Sequence, residues 1–263
     1  MRRLRRLVQK RSLRWSEGVC VLEGPDLVEA ALNGGAEFEA IYLDSAEAAS
    51  TSLSALVDLA GKAGVRLYGL EPGVLEIIAD AKTPQPVLAA IRFPVTPLAQ
   101  LGTDGLVLVL HGLRDPGNVG TIIRSADAAG VAAVVLTGQS VDPFNPKTLR
   151  ATAGSIFHVP LAVCELDEAL EHFRTGGARI LATVIRGGTP LRDVDFTSPA
   201  AVVIGNEAEG LDQQTIGRCD DALSIPMDGR CESLNAGVAA SLVAFEALWQ
   251  RQDAAGPRSP SSL

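Results

Sequence analysis

The sequence predicts an α/β protein built from two domains, and three observations carry that reading. Strand-like and helix-like segments alternate in two series, one over residues 19–92 and a second from 106 onward. Strands of the second series, such as Leu106–Leu110 and Ala201–Ile204, are apolar throughout, as parallel strands covered on both faces are. The composition is 47% hydrophobic but only 4% aromatic, which suits aliphatic α/β layers better than an aromatic-rich β-sandwich. At 263 residues the chain can bury a substantial core.

The elements follow from local signals. Residues 1–14 hold seven basic side chains and no acidic one, with Leu4, Leu7 and Leu13 at amphipathic spacing. The remaining residues carry sixteen basic against thirty-one acidic groups, a net −15. A basic arm on an acidic body can track phosphates. Val19–Glu23 reads as a strand ending in the Gly24-Pro25 turn, and Asp26–Leu32 as a helix closed by Asn33-Gly34-Gly35. Strand Phe38–Leu43, helix Ala46–Ala63, strand Val65–Leu70, helix Pro72–Ala79 and strand Val87–Arg92 complete a small domain over 15–93. Two prolines and a lack of amphipathic order mark 94–104 as a linker.

The second domain, 105–250, begins with strand Leu106–Leu110 and a helix over 118–129, with Asn118 as its candidate cap. Strand Ala132–Leu136, helix Pro146–Ala153, strand Ile156–Val159 and helix 166–175 follow. Strands Arg179–Val184 and Ala201–Ile204, a short helix over 212–218 and strand 222–225 come next. Ser233 stands at the expected cap of the last helix, whose apolar stripe runs Leu234, Val238, Leu242, Phe245, Trp249. Its other faces carry Ala236, Gly237, Ala239 and Ala240, so a second backbone can come close. Residues 251–263 end in a Pro/Ser-rich stretch that reads as a disordered tail.

Several function classes are disfavoured. No apolar run reaches the ~18 residues of a membrane span, and no secretory leader is legible, so a cytoplasmic protein is expected. The cysteines, Cys20, Cys164, Cys219 and Cys231, form no CxxC pair and point to neither a disulfide framework nor a metal site. GxGxxG and Walker A loops are absent, which argues against a nicotinamide oxidoreductase or a P-loop enzyme.

Chemistry concentrates in three loops that follow buried strands. The first runs His111 to Arg124 and contains Asn118-x-Gly120-x-x-x-Arg124. The second is Gly205-Asn206-Glu207-Ala208-Glu209-Gly210-Leu211. The third is Ile225-Pro226-Met227-x-Gly229-x-x-x-Ser233-Leu234-Asn235. In open α/β sheets, ligands bind beyond the carboxyl ends of the strands. Taken together and in this order, the three resemble the motifs of the SpoU (TrmH-like) RNA ribose 2′-O-methyltransferases, over roughly residues 105–248. The layout resembles that of the thiostrepton-resistance methyltransferases that act on large-subunit ribosomal RNA. Where the family often has Ser-Leu-Asn-Val-Ser, this chain has Ser-Leu-Asn-Ala236-Gly237.

The resemblance implies a SPOUT α/β domain with a C-terminal trefoil knot, preceded by an L30e-like RNA-binding domain. It implies S-adenosyl-L-methionine as cofactor, RNA as substrate (ribosomal 23S RNA, with tRNA as the alternative) and a homodimer. Thr183, Gly205, Asn206, Gly210, Ile225, Met227 and Leu234 are the implied cofactor-binding residues. A bulky side chain at Gly205 is expected to intrude on the ligand. Arg124, Asn118, Glu207, Ser233 and Asn235 are the implied catalytic set. Whether Arg124 takes the hydroxyl proton or only holds phosphate and alkoxide is open, with Glu207 as the rival base; a guanidinium stays protonated, which favours holding. A non-catalytic RNA-binding protein on the same fold is the alternative from another class.

Overall fold

A computed structural model of the chain describes residues 1–47, 50–79 and 85–256. Two compact units emerge, one of Met1–Pro94 with Asp142–His158, the other of Val95–Val141 with Val159–Leu263.

The first unit opens with two helices, α1 (Arg2–Gln9) and α2 (Arg11–Glu17). Strand β1 (Val19–Glu23), α3 (Pro25–Asn33), β2 (Phe38–Asp44), α4 (Thr51–Lys62), β3 (Leu67–Leu70), α5 (Val74–Ile78) and β4 (Val87–Arg92) follow. The strands form a mixed sheet in the order β1-β4-β2-β3, so β3 is an edge. The basic start is therefore not a free arm. Leu4, Leu7 and Val8 of α1 are buried with Val19, Val21, Leu75, Ile78 and Leu88, leaving Arg2, Arg5, Arg6 and Lys10 on the exposed side.

Arg14 is buried, and its guanidinium meets the buried Asp142 at 2.6 Å while donating to the carbonyls of Leu7 and Val8. The other Asp142 oxygen accepts from the Trp15 indole and the Phe144 backbone, at 3.2 and 3.0 Å. Phe144 stacks on Phe93 with centroids 3.9 Å apart, and Arg150 reaches Glu23 at 2.9 Å. These contacts explain why 142–158, including α7 (Pro146–Thr152), belongs to the first unit although the sequence places it amid the second series.

The second unit contains β5 (Leu106–His111), α6 (Pro116–Ala128), β6 (Ala133–Thr137), β7 (Leu161–Cys164), α8 (Leu166–Thr175), β8 (Arg179–Val184) and β9 (Thr189–Pro190). It ends with β10 (Ala200–Ile204), α9 (Gln213–Ile216), β11 (Asp221–Ser224) and α10 (Ala236–Ala255). Its strands are parallel in the order β7-β6-β5-β10-β8-β11-β9. β5 and β10 are adjacent and central, so both faces are covered and their apolar runs are buried. After β5 the chain winds one way to β6 and β7, and then returns to build the other side. The loops beyond β5 and β10 thus flank the switch point, where α/β sheets open a crevice.

Several elements differ from expectation. The strand expected at Ile156–Val159 is a 3₁₀ turn, Ser155–Phe157, entered through left-handed backbone at Ala153 and Gly154. The strand begins only after Pro160, which cannot donate to a ladder. Helix α4 starts at Thr51 instead of Ala46, and the linker carries a 3₁₀ turn at Leu98–Gln100. Helix α10 continues through 251–255 to a left-handed Gly256, so that part of the expected tail is ordered; 257–263 lie outside the described residues. The predicted stripe on α10 is reversed. Val238, Leu242 and Trp249 are exposed, while Ala236, Gly237, Ala240, Val243, Ala244 and Ala247 are buried. The small face allows the close approach: α10 packs on α6, with Ser241 Oγ 2.7 Å from Ser125 Oγ.

Breaking a buried ion pair by removing one partner costs about 3–5 kcal/mol. Arg14→Ala strands the Asp142 carboxylate and is expected to lower unfolding free energy by about that much in urea titration. A loss below ~1 kcal/mol, the scale of a surface pair, would contradict the anchoring role.

Candidate functional site

The site is assembled from helix starts. Asp115 caps α6, accepting from Gly117 N at 2.6 Å and Asn118 N at 3.1 Å, with Pro116 at the first helical position. Asn118 is therefore not the cap, and its side chain is free for other work. Its Nδ2 donates to Glu207 Oε1 at 2.7 Å. Its Oδ1 accepts from Asn235 Nδ2 at 2.9 Å. Asn235, not Ser233, caps α10, accepting through Oδ1 from Gly237 N and Val238 N at 2.8 and 3.2 Å. One hydrogen-bonded chain thus joins the three loops: Glu207 from the second, Asn118 from the first, Asn235 from the third.

The Glu207 carboxylate also faces the backbone N–H groups of Arg114 and Asp115, both at 3.4 Å. Partial burial opposes its charge, but the bonds from Asn118 and these N–H groups outweigh it and hold the pKa below the ordinary carboxylate value. A carboxylate so stabilised is a weak proton acceptor.

Beside this chain lies a cavity of about 170 Å³. From the strand ends, Thr183 and Ile225 line it, with Thr183 Oγ1 donating to Val203 O at 3.0 Å. From the second loop come Gly205, Asn206, Glu207 and Gly210, and from the third Met227, Ser233 and Leu234. All seven residues expected to hold the cofactor therefore border one space. Asn206 is spent locally, its Oδ1 accepting from Ala208 N and Glu209 N, which turns the loop back on itself. Arg124 is exposed on α6, six positions beyond Asn118, and is not part of the lining. It has no hydrogen-bond or ion-pair partner among the described residues. The guanidinium is available.

The glycine at 205 has a different reason from the expected one. A Cβ there would sit 2.4 Å from the Gly210 carbonyl carbon and 2.6 Å from its oxygen. The loop's own backbone, closed by an Asn206–Gly210 bridge, would be struck before any ligand. Ala236 and Ala239 of α10 also line the cavity, although the sequence pointed only to close backbone packing for them. Their signal was the run of small residues at the start of that helix. Gly237 is less confined: a Cβ there would lie 3.1 Å from Asn235 Oδ1 and an ordinary 3.4 Å from Thr121 Cγ2 of α6. Among the described residues there is no group of three or more His, Cys, Asp or Glu that could hold a metal ion, and no helix is long and apolar enough to cross a membrane.

Gly205→Ala is expected to lower the melting temperature and any affinity of the cavity together, since overpacking costs about 1–3 kcal/mol. Native melting with unimpaired ligand binding would contradict the loop-closure account. The lowered pKa of Glu207 sets a pH dependence. Its stabilisation is fully present above the ordinary value of 4.5 and is lost as pH falls through the depressed folded value. The stability advantage of the native protein over Glu207→Gln should therefore shrink on acidification in that window. An advantage that grew there would reverse the assignment.

Comparison with known proteins follows the same division. Residues 105–245 match the SpoU rRNA Methylase family, and residues 1–89 match the MRM3-like substrate binding domain. The chain is 34% identical over 226 residues to the 23S rRNA (guanosine(2553)-2'-O)-methyltransferase RlmP of Bacillus subtilis, covering 86% of each chain. It is 34% identical over 186 residues to the 23S rRNA (uridine(2479)-2'-O)-methyltransferase of Streptomyces viridochromogenes, covering 68% of this chain and 65% of that one. Among solved structures, the SpoU methyltransferase AviRb of Streptomyces viridochromogenes in complex with AdoMet superposes with a TM-score of 0.86 at 28% identity, over 95% of this chain and 97% of that one. The AdoMet-bound rRNA methyltransferase of Sinorhizobium meliloti gives 0.83 at 29% identity, over 94% and 92%. With both the sequence match and the α/β fold in agreement, the chain belongs to the SpoU rRNA methylase family.

Proposed function

We propose that this protein is an S-adenosylmethionine-dependent enzyme that methylates a ribose 2′-hydroxyl of 23S ribosomal RNA. The observation that carries the reading is the Glu207–Asn118–Asn235 chain, which ties the first loop to the second and third, the two loops that line one cavity beyond the strand ends. The relatives named for 23S rRNA 2'-O-methylation, and the AdoMet-bound solved structures, support the substrate and the cofactor.

The cavity fits that cofactor in chemical character. Ile204, Leu223, Ile225, Leu234 and Ala239 give an apolar wall for an adenine ring, while Glu207 and Glu209 bring negative charge to a site for a sulfonium cation. When bound, S-adenosylmethionine supplies an electrophilic methyl group, so the protein's task is to position and activate the hydroxyl. Thr183, Gly205, Asn206, Gly210, Ile225, Met227 and Leu234 hold the cofactor in this reading. Arg124, permanently charged, holds an RNA phosphate and stabilises the developing alkoxide as the hydroxyl proton passes to solvent water. Glu207, with its depressed pKa, orients Asn118 and is not the base. Ser233 and Asn235 order the pocket beside the ribose.

The finer fold assignments belong to the same proposal. After β11 the chain returns past β8 and β10 so that α10 can pack on α6 and β5. That return supports a threaded, knotted C-terminal segment. The first unit, with its mixed β1-β4-β2-β3 sheet, serves as an L30e-like RNA-binding domain, and residues 95–104 lead into the catalytic domain. Val238, Leu242 and Trp249 form an exposed apolar row on α10 that supports a homodimer. The cytoplasm is the compartment where such an RNA is met.

Transfer of a labelled methyl group from S-adenosylmethionine to 23S rRNA tests the activity directly. Label incorporation at a 2′-O position supports the reading, whereas RNA binding without transfer would favour the non-catalytic alternative. Arg124→Ala is expected to lower turnover by orders of magnitude at nearly constant cofactor affinity, and Arg124→Lys to restore little. Near-normal turnover in both would remove Arg124 from the mechanism. Trp249→Glu with Leu242→Glu should yield monomers by sedimentation; an unchanged assembly would exclude this face.

A further inference from the structure

The chain contains two tyrosines, and both stand in one place. Tyr42 of β2 and Tyr68 of β3 are register partners, their rings stacked with centroids 5.5 Å apart and 18° between planes. Tyr42 packs inward against the core beneath α1. Tyr68 lies on the edge strand, so no further strand covers its outer side, and it remains 46% exposed. Burial raises the pKa of Tyr42, and its ring stays neutral.

Positive charge lies beside the pair. Arg66 sits two positions before Tyr68, on the same face by strand alternation, and its carbonyl accepts from Ile41 N, which extends the pairing to that residue. Arg3 and Arg66 both bear electrostatically on Tyr42. Arg3 reaches Glu39 of β2 at 2.7 Å, which neutralises that carboxylate and fixes one flank of α1 beside the sheet. Arg6 lies one helical turn beyond Arg3 and is exposed. An ordinary cross-strand aromatic pair stabilises an edge by contact alone. It does not require an open aromatic face with a guanidinium beside it.

We propose that Tyr68, backed by Tyr42 and flanked by Arg66, is a stacking platform for an unpaired base of the substrate RNA. This deepens the proposed function and rests on it. A ring with one open side offers a base a π-face, and the Arg66 guanidinium meets a flanking phosphate. The stack on Tyr42 holds the Tyr68 ring in place before RNA arrives, so less side-chain freedom is lost on binding.

The test measures anisotropy of end-labelled oligouridine with the full-length protein, alongside an RNA duplex of equal length. Tyr68→Ala and Tyr68→Leu are expected to weaken oligouridine binding about 5- to 150-fold, the contribution of one stacked base, with duplex binding unchanged. Leucine keeps the apolar area at the edge and so controls for a folding defect. Tyr68→Phe should bind within about twofold of native. Arg66→Ala should flatten the log–log salt dependence by ~0.7. Native-like oligouridine binding by both the alanine and leucine variants would overturn the platform, as would native protein that binds the duplex but not oligouridine. If either occurs while native protein still methylates 23S rRNA, the platform alone fails. Absence of methyl transfer from native protein would instead count against the enzymatic reading.

Discussion

The site depends on the direction in which three side chains are hydrogen-bonded. The first turn of α10 offers N–H groups that need an acceptor, and Asn235 Oδ1 supplies it. That leaves the Asn235 amide nitrogen facing Asn118, so Asn118 must present its oxygen. The Asn118 nitrogen then needs an acceptor in turn, which the Glu207 carboxylate provides. Each group has one self-consistent orientation, dictated outward from the helix cap. Each bond fixes the orientation of the next group, so the three loops are coupled.

Close backbone approach is the second constraint, and glycine and alanine meet it. The loop after β10 folds so tightly that Gly205 has no room for a Cβ against Gly210. Gly188 is in the same position against the Leu223 backbone, where the chain after β8 passes β11. Gly237 faces Thr121 of α6, and Ala236 and Ala239 form one wall of the cavity. The larger apolar residues of α10 are left on its outer side.

Much of this was legible in the sequence because it is local. Apolar runs bounded by turn residues located β5 and β10, and the second and third loops named many of the residues that border the cavity. What was not legible depends on distant partners. Periodicity found the Leu234–Trp249 stripe but could not tell which face was buried, since a face of small residues buries well when another helix comes close. Asn118 and Ser233 stood at plausible cap positions, yet Asp115 and Asn235 were better placed and took the caps. The basic start looked like an arm because its charge is local. The acceptors that anchor Arg14 and Arg3, Asp142 and Glu39, lie far along the chain. A strand was expected at 156–159 because Ala153-Gly154 was not recognised as a left-handed break.

The central claim is that Asn118, Glu207 and Asn235 act as one unit that builds the cofactor cavity. A double-mutant cycle on Asn118→Ala and Asn235→Ala, read by calorimetric S-adenosylmethionine affinity, tests it most directly. The account predicts strong non-additivity: either substitution alone weakens binding about as much as both together, with a coupling of about 0.5–3 kcal/mol. Independent effects that sum within ~0.5 kcal/mol would show that the two asparagines serve the site separately, and would contradict the account.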